Sequence, residues 1–198
     1  MIAKETALIF IEFQNDFCKP GGKLHDLVKE ELARVGTIPN AVRLLQGARA
    51  KGCRIIHCPF TLDKNWVAEK GSVGILEGIN QNDIFALGTW GHQIISELAP
   101  IDGEPVLSGK RSLSAFSNTN LQNLLESAGI RNLIVCGFLS NICAQATAWS
   151  AYDLGYQVRM IPEACCATNV NLQEYVESQI SPILGGAFTV DSFLENLK

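Results

Sequence analysis

Short apolar runs and longer amphipathic stretches alternate along the chain. Residues 7–12 (ALIFIE), 53–58 (CRIIHC), 132–136 (NLIVC) and 157–161 (QVRMI) are too short for helices and are bounded by turn formers, so they read as buried strands. Two shorter segments, 105–107 and 187–190, read as further strands. Residues 38–51 place Ile38, Val42, Leu45 and Arg49 at near-helical spacing, with Pro39 suited to a first turn and Gly52 to the end. Residues 118–128 and 141–154 predict two more helices, each closed by a glycine, and Ala144, Ala148 and Ala151 give the second a small-residue face. Residues 171–183 predict a helix weakened by Pro182. The segment 18–26 (CKPGGKLHD) reads as a loop, and 59–103 as loops with some helix at 92–98. Strands alternating with helices across short turns predict an α/β fold with a mainly parallel sheet, in one domain over 1–198. Such sheets bind ligands beyond the carboxyl ends of the strands, where the strand order reverses.

Composition narrows the class. Hydrophobic residues make up 47% of the 198 and charged residues 18%, which excludes a disordered chain and suits a sheet covered on both faces. Sixteen basic against twenty acidic residues give a net charge of −4, so nucleic acid is a poor partner. No apolar run approaches the roughly 18 residues of a membrane span. The start, MIAKETALIFIEFQ, lacks the marks of a signal peptide. The seven cysteines, at 18, 53, 58, 136, 143, 165 and 166, are odd in number and form no CxxC pair. A reduced, cytoplasmic, soluble protein is expected. The question is whether one of its thiols works.

Three residues stand where chemistry would be placed. Glu12 closes the first strand, Lys110 follows the third, and Cys143 lies in the first turn of the helix after the fourth. A helix start and a nearby ammonium both favour a thiolate, and a carboxylate beside them accepts the thiol proton. Each residue also has a plain reading. Cys143 reads as a small buried hydrophobe, Lys110 as a solvated charge, and Glu12 as a rim residue or a buried, paired carboxylate. The turn 137–143 (GFLSNIC) bends sharply between strand and helix, and its amides suit one oxyanion; otherwise Ser140 or Asn141 simply caps the helix.

Three segments then resemble one family, the isochorismatase-like cysteine hydrolases. They are 7–17 (ALIFIEFQNDF), 109–121 (GKRSLSAFSNTNL) and 135–158 (VCGFLSNICAQATAWSAYDLGYQV), in the family's order and spacing over nearly the whole chain. The resemblance implies a three-layer, Rossmann-like, doubly wound sheet of six strands in the order 3-2-1-4-5-6. It implies a catalytic triad of Glu12, Lys110 and Cys143, with Glu12 standing where most members have Asp. It also implies a cis peptide bond between Phe138 and Leu139, and an oxyanion hole formed by the amides of Leu139 and Cys143. Phe17 matches an aromatic residue that lines the pocket in relatives. Phe60, Trp90 and Phe116 are further pocket candidates, with Trp66 beside them; each also reads as plain core. Gln145 is placed at the pocket edge.

The implied activity is cysteine-dependent hydrolysis of a C–N bond in a small amide, ureido or carbamoyl compound, through a thioester. Nicotinamidases of the family add a metal site after the second strand. Here that stretch is HCPFTLDKNW (57–66), and His25, His57 and His92 are widely spaced, so neither metal nor other cofactor is expected. His57 reads as a strand residue and His25 as a loop residue that reaches the site. Two alternatives stay open. One is vinyl ether hydrolysis of the isochorismatase type, with Cys143 a bystander. The other is a non-catalytic binding or thiol-sensing relative using Cys165 and Cys166. A small-molecule substrate and a homo-oligomer, dimer or tetramer, are the expected partners.

Overall fold

The computed structural model describes residues 1–198. Four strands form its sheet: β1 (Thr6–Ile11), β2 (Arg54–Cys58), β3 (Asn132–Phe138) and β4 (Gln157–Cys166). Their order is β2-β1-β3-β4, and every pair is parallel, with Ile9 beside both Ile56 and Val135. All six residues of β1 are buried, as an unbroken apolar run requires when a strand is covered on both faces.

The ladder has four strands where six were expected. Val106 bridges to His57 at one edge and Ala187 to Met160 at the other, each parallel and each a single residue. Pro105 offers no N–H to extend the first bridge. The chain beyond Ala187 is diverted into a helix, where the Thr189 side chain accepts from the Ser192 amide.

The helices in chain order are α1 (Asn15–Cys18), α2 (His25–Val35), α3 (Thr37–Ala50), α4 (Lys64–Lys70), α5 (Ile75–Gln81), α6 (Leu121–Ser127), α7 (Gln145–Asp153), α8 (Val170–Tyr175) and α9 (Val190–Asn196). Of these, α1, α2 and α9 fall where no helix was expected, while α4 and α5 lie within 59–103, where some helix was expected but not there. The helix expected at 92–98 is a 3₁₀ turn, Ser96–Leu98, and that at 171–183 is α8 followed by a π-helical turn, Val176–Ile180. α3 packs on β2 and β4 with α9 beside it, and α7 packs on β3 and β4. The β1-to-β2 and β3-to-β4 crossovers run in opposite directions from the centre, so right-handed connections put α3 and α7 on opposite faces. One continuous apolar core joins the two layers through the sheet.

β1 and β3 are neighbours whose chains continue to opposite sides, so the switch point lies between their carboxyl ends. Close approach there depends on Gly137. Its φ is +123°, and a Cβ would run into the Ile11 carbonyl. The register of β3 against β4 also shifts between Val135 and Gly137, which lets β4 run on to pair Cys165 and Cys166 with Gly137 and Phe138.

Candidate active site

Glu12 lies one residue past β1 and outside the strand, with φ +56°, a left-handed conformation rare for a side chain of this size. Its amide donates to the Cys58 carbonyl at 3.0 Å, tying the turn to the end of β2. Lys110 reaches the site from the turn after the Val106 bridge. Its Nζ donates to Glu12 Oε1 and to the Ser112 carbonyl at 2.7 Å, and stands 4.9 Å from the centre of the Phe60 ring. Cys143 sits on a π-helical turn, Ser140–Ala144, that leads from β3 into α7. That turn is closed by the Ala144 amide donating to the Leu139 carbonyl at 3.2 Å. The peptide bond between Phe138 and Leu139 is cis.

Three side chains, two from the ends of β1 and β3 and one from the turn after the Val106 bridge, therefore share one enclosed cluster. Glu12 is 2% exposed, Lys110 0% and Cys143 7%. The Cys143 thiol stands close enough to Glu12 and Lys110 for both side chains to act on it. A buried carboxylate and a buried ammonium persist here because each offsets the other's desolvation. Burial would lower the Lys110 pKa, but the Glu12 carboxylate, then Cys143, hold it above its ordinary value, so the ammonium stays charged.

The thiol corrects one expectation. A helix start and an ammonium were expected to favour the thiolate. Burial pushes the Cys143 thiol well above its ordinary value, the Glu12 carboxylate adds to this, and Lys110 opposes both without overcoming them. The resting cluster holds a thiol, a carboxylate and an ammonium.

The expected pocket residues divide. Phe17 is buried and stacks on Phe138, with centroids 5.0 Å apart and planes at 14°. Phe60 is buried with its ring at Lys110. Trp66 stands beside Phe60 around a small void that Arg111 also lines. Trp90 is half exposed, and it is its carbonyl that meets the site framework, accepting from Asn15 Nδ2 at 2.8 Å. Phe116 is not brought to the cluster. Its ring packs on Tyr156 ahead of β4, at the opposite end of the sheet. The side-chain oxygens of Gln145 and Asn141 are buried without a hydrogen-bond partner.

The three histidines are engaged separately. His25 meets the Phe17 carbonyl at 3.0 Å and opens α2 instead of lying in a loop; His57 meets Glu104 at 2.9 Å, and His92 meets Thr61 at 3.0 Å. No cluster of three metal-ligating side chains occurs. Cys165 and Cys166 are buried at the end of β4, and burial pushes both thiols up to about 12.

Several framework residues escaped the sequence reading. Gln14, wholly buried, accepts from the Phe60 amide at 2.8 Å and donates to the carbonyls of Phe60 at 2.9 Å and His92 at 2.8 Å. Asn15 and Asp16 continue the clamp. The Asn15 amide donates to the Gln93 carbonyl at 2.9 Å, the Asp16 amide to the Gly91 carbonyl at 3.0 Å, and Asp16 Oδ2 accepts from the Phe85 amide at 2.7 Å. Thr147 donates to the Cys143 carbonyl at 2.8 Å and accepts from the Ala115 amide at 2.9 Å, which joins the segment after Lys110 to the nucleophile's turn. Gln173 accepts from Ser140 Oγ at 2.6 Å and holds that turn from α8. Their signal in the sequence was the string QND after the first strand and Thr four residues past Cys143.

The model of the Isochorismatase domain matches residues 6–192. The chain belongs to the isochorismatase family. Among curated relatives, a protein named ureidoacrylate amidohydrolase RutB, from Rhizobium rhizogenes, is 31% identical over 204 residues, covering 96% of this chain and 82% of that protein. An isochorismatase family protein from Desulfovibrio vulgaris superposes with a TM-score of 0.79 at 27% identity, covering 96% of this chain and 97% of that one. A cysteine hydrolase from Pseudomonas syringae shares the fold at a TM-score of 0.84 and 24% identity, over 98% and 92% of the two chains. As an isochorismatase family member, the protein carries the family's α/β parallel sheet with its helices. No helix is long and apolar enough to cross a membrane.

Proposed function

We propose that this isochorismatase family member is a cysteine hydrolase that cleaves a C–N bond in a small ureido, carbamoyl or amide compound. The observation that carries this reading is the meeting of Glu12, Lys110 and Cys143 in one buried cluster at the switch point of the sheet. The ureidoacrylate amidohydrolase among its relatives supports C–N hydrolysis over ether cleavage.

The reaction begins with Cys143 giving its proton to Glu12 as sulfur attacks the substrate's carbonyl carbon. The oxyanion is held by the amides of Leu139 and Cys143, and Lys110 balances the charge that develops on sulfur. The tetrahedral carbon collapses, the C–N bond breaks, and the leaving nitrogen takes the proton from Glu12. Glu12 next takes a proton from water. The hydroxide formed attacks the thioester, and the departing sulfur regains the proton. Glu12 begins and ends as a carboxylate. Phe17, beside the Leu139 turn, and Phe60 are read as aromatic walls of the cluster.

The same reading counts the bridges at Val106 and Ala187 as reduced edge strands of a six-strand order 3-2-1-4-5-6 within a single domain. It places the protein in the cytoplasm, consistent with seven unpaired cysteines, and as a dimer or tetramer. A monomer by sedimentation at micromolar concentration would remove the last point. The central test is ammonia release from a panel of small ureides, carbamoyl compounds and amides, with Cys143→Ala as control. Turnover of at least one compound by the parent and none by the variant is expected; equal turnover by both would sink the reading.

A further inference from the structure

Lys110 is wholly enclosed, yet only two oxygens meet its ammonium, those of Glu12 and the Ser112 carbonyl. Its other close partner is a ring. Nζ stands over Phe60, 4.9 Å from the centroid, with both side chains out of water. A desolvated ammonium gains most from a ring face, because no water competes for the charge.

The ring is held for that task. Gln14 grips the Phe60 peptide on both sides, accepting from its amide at 2.8 Å and donating to its carbonyl at 2.9 Å. The Thr61 amide then donates to the Lys110 carbonyl at 2.9 Å, so the backbones carrying ring and lysine are pinned one residue apart. The ring's aromatic neighbour is Phe85, at 5.7 Å. A ring only 3% exposed and fixed at both ends has little surface left for a substrate.

We propose that Phe60 is a positioning residue for Lys110: its ring face holds the ammonium against Glu12 and toward Cys143, and Gln14 holds the ring. The site's cation is thereby kept in one place without a second carboxylate, which would compete with Glu12 for the ammonium. The kinetic part of the test rests on the hydrolase reading, and the chemical part does not.

The experiment compares Phe60→Leu, Phe60→Tyr and Phe85→Leu with the parent protein. Alkylation of Cys143 by iodoacetamide is followed across pH by peptide mass spectrometry, and kcat and KM are measured on whichever ureide or amide the parent turns over. In Phe60→Leu, alkylation at pH 8 slows about tenfold and its pH profile moves up, while kcat falls about tenfold at unchanged KM. Phe60→Tyr, which keeps a ring face, returns both to within about twofold of the parent. Phe85→Leu, which removes only the packing partner, leaves the alkylation profile in place. A rise in KM in Phe60→Leu, with kcat and alkylation unchanged, would make Phe60 a substrate wall and overturn the proposal. An equal alkylation shift in Phe85→Leu would reduce the effect to packing and overturn it too. Turnover surviving in Cys143→Ala would break the hydrolase reading alone, and the alkylation comparison would still decide the role of Phe60.

Discussion

Two carboxylates near the β1–β2 pair, Glu12 fully buried and Glu104 partly buried, have opposite characters. Glu104 receives Arg49 through Nε and Nη2 at 2.7 Å each, His57 at 2.9 Å and the Ile101 amide at 3.1 Å. Burial alone would raise its pKa, but these donors, Arg49 foremost, hold it at about 2. Glu12 receives one ammonium and has the Cys143 thiol beside it. The decisive difference lies in the partners. A carboxylate saturated by fixed donors is locked into its charge and serves stability. A carboxylate with a single fixed ammonium and a thiol beside it keeps room to take a proton, and serves chemistry.

The comparison breaks most sharply at the nucleophile. Cys143→Ala should lower turnover by on the order of 10⁶-fold, as loss of a covalent nucleophile does elsewhere. An unchanged melting temperature by calorimetry would show that the loss is chemical. Glu12→Gln keeps the size of the side chain but cannot accept the proton. It should cost about 10³-fold in kcat. If Glu12 were a second Glu104, the variant would instead lose stability and keep its rate. Glu12→Asp keeps the acid but draws the carboxylate back by one methylene. Because this backbone is set for Glu, kcat should fall about 10²-fold, the cost of an ångström of misplacement. Equal rates for Glu and Asp would show that the cluster re-forms freely.

Glu104→Gln is the converse and the smallest in kinetics. Glu104's folded pKa lies below its ordinary 4.5, at about 2, so its contribution is present in full above 4.5 and is lost as pH falls from there toward 2. The variant should be less stable by about 2–3 kcal/mol at neutral pH and lose that acid limb, with kcat within about twofold of the parent. Urea titrations at pH 7 and pH 3 measure both halves. A stability difference equal at the two pH values would contradict the assignment.

Much of the site was legible because it hangs on strand ends. Glu12, Lys110 and Cys143 each follow a short apolar run, and a parallel sheet sends all carboxyl ends to one side. What stayed hidden has physical causes. α4 buries no residue and α5 only Ile79, so neither carries an apolar stripe to read. α2 follows a glycine- and proline-containing turn and has Leu27 largely exposed, which masked its period. α9 had a readable start in Thr189 and Ser192, which cap each other, but the apolar run before it pointed to a strand. Phe116 was misplaced because aromatic character says nothing about which end of a sheet a ring serves. Gln14 was invisible for a different reason. Its partners are main-chain groups 46 and 78 residues away, which leave no side-chain pattern.

That last property has a consequence for how the fold can change. The QND string fastens the segment from Phe85 to Gln93, and every group it grips there belongs to the backbone. Gly91 is constrained in kind because a Cβ there would run into the Asp16 carboxyl, Gly88 by its φ of +81°, and Phe85 by its buried place against Phe17 and Phe60. The exposed side chains of the segment, Leu87 and Trp90 among them, are free to be rewritten without loosening their mooring. The fold thus carries an exchangeable cartridge beside a fixed reaction centre, and new loops can be docked onto the same three residues while the cluster beneath stays as it is.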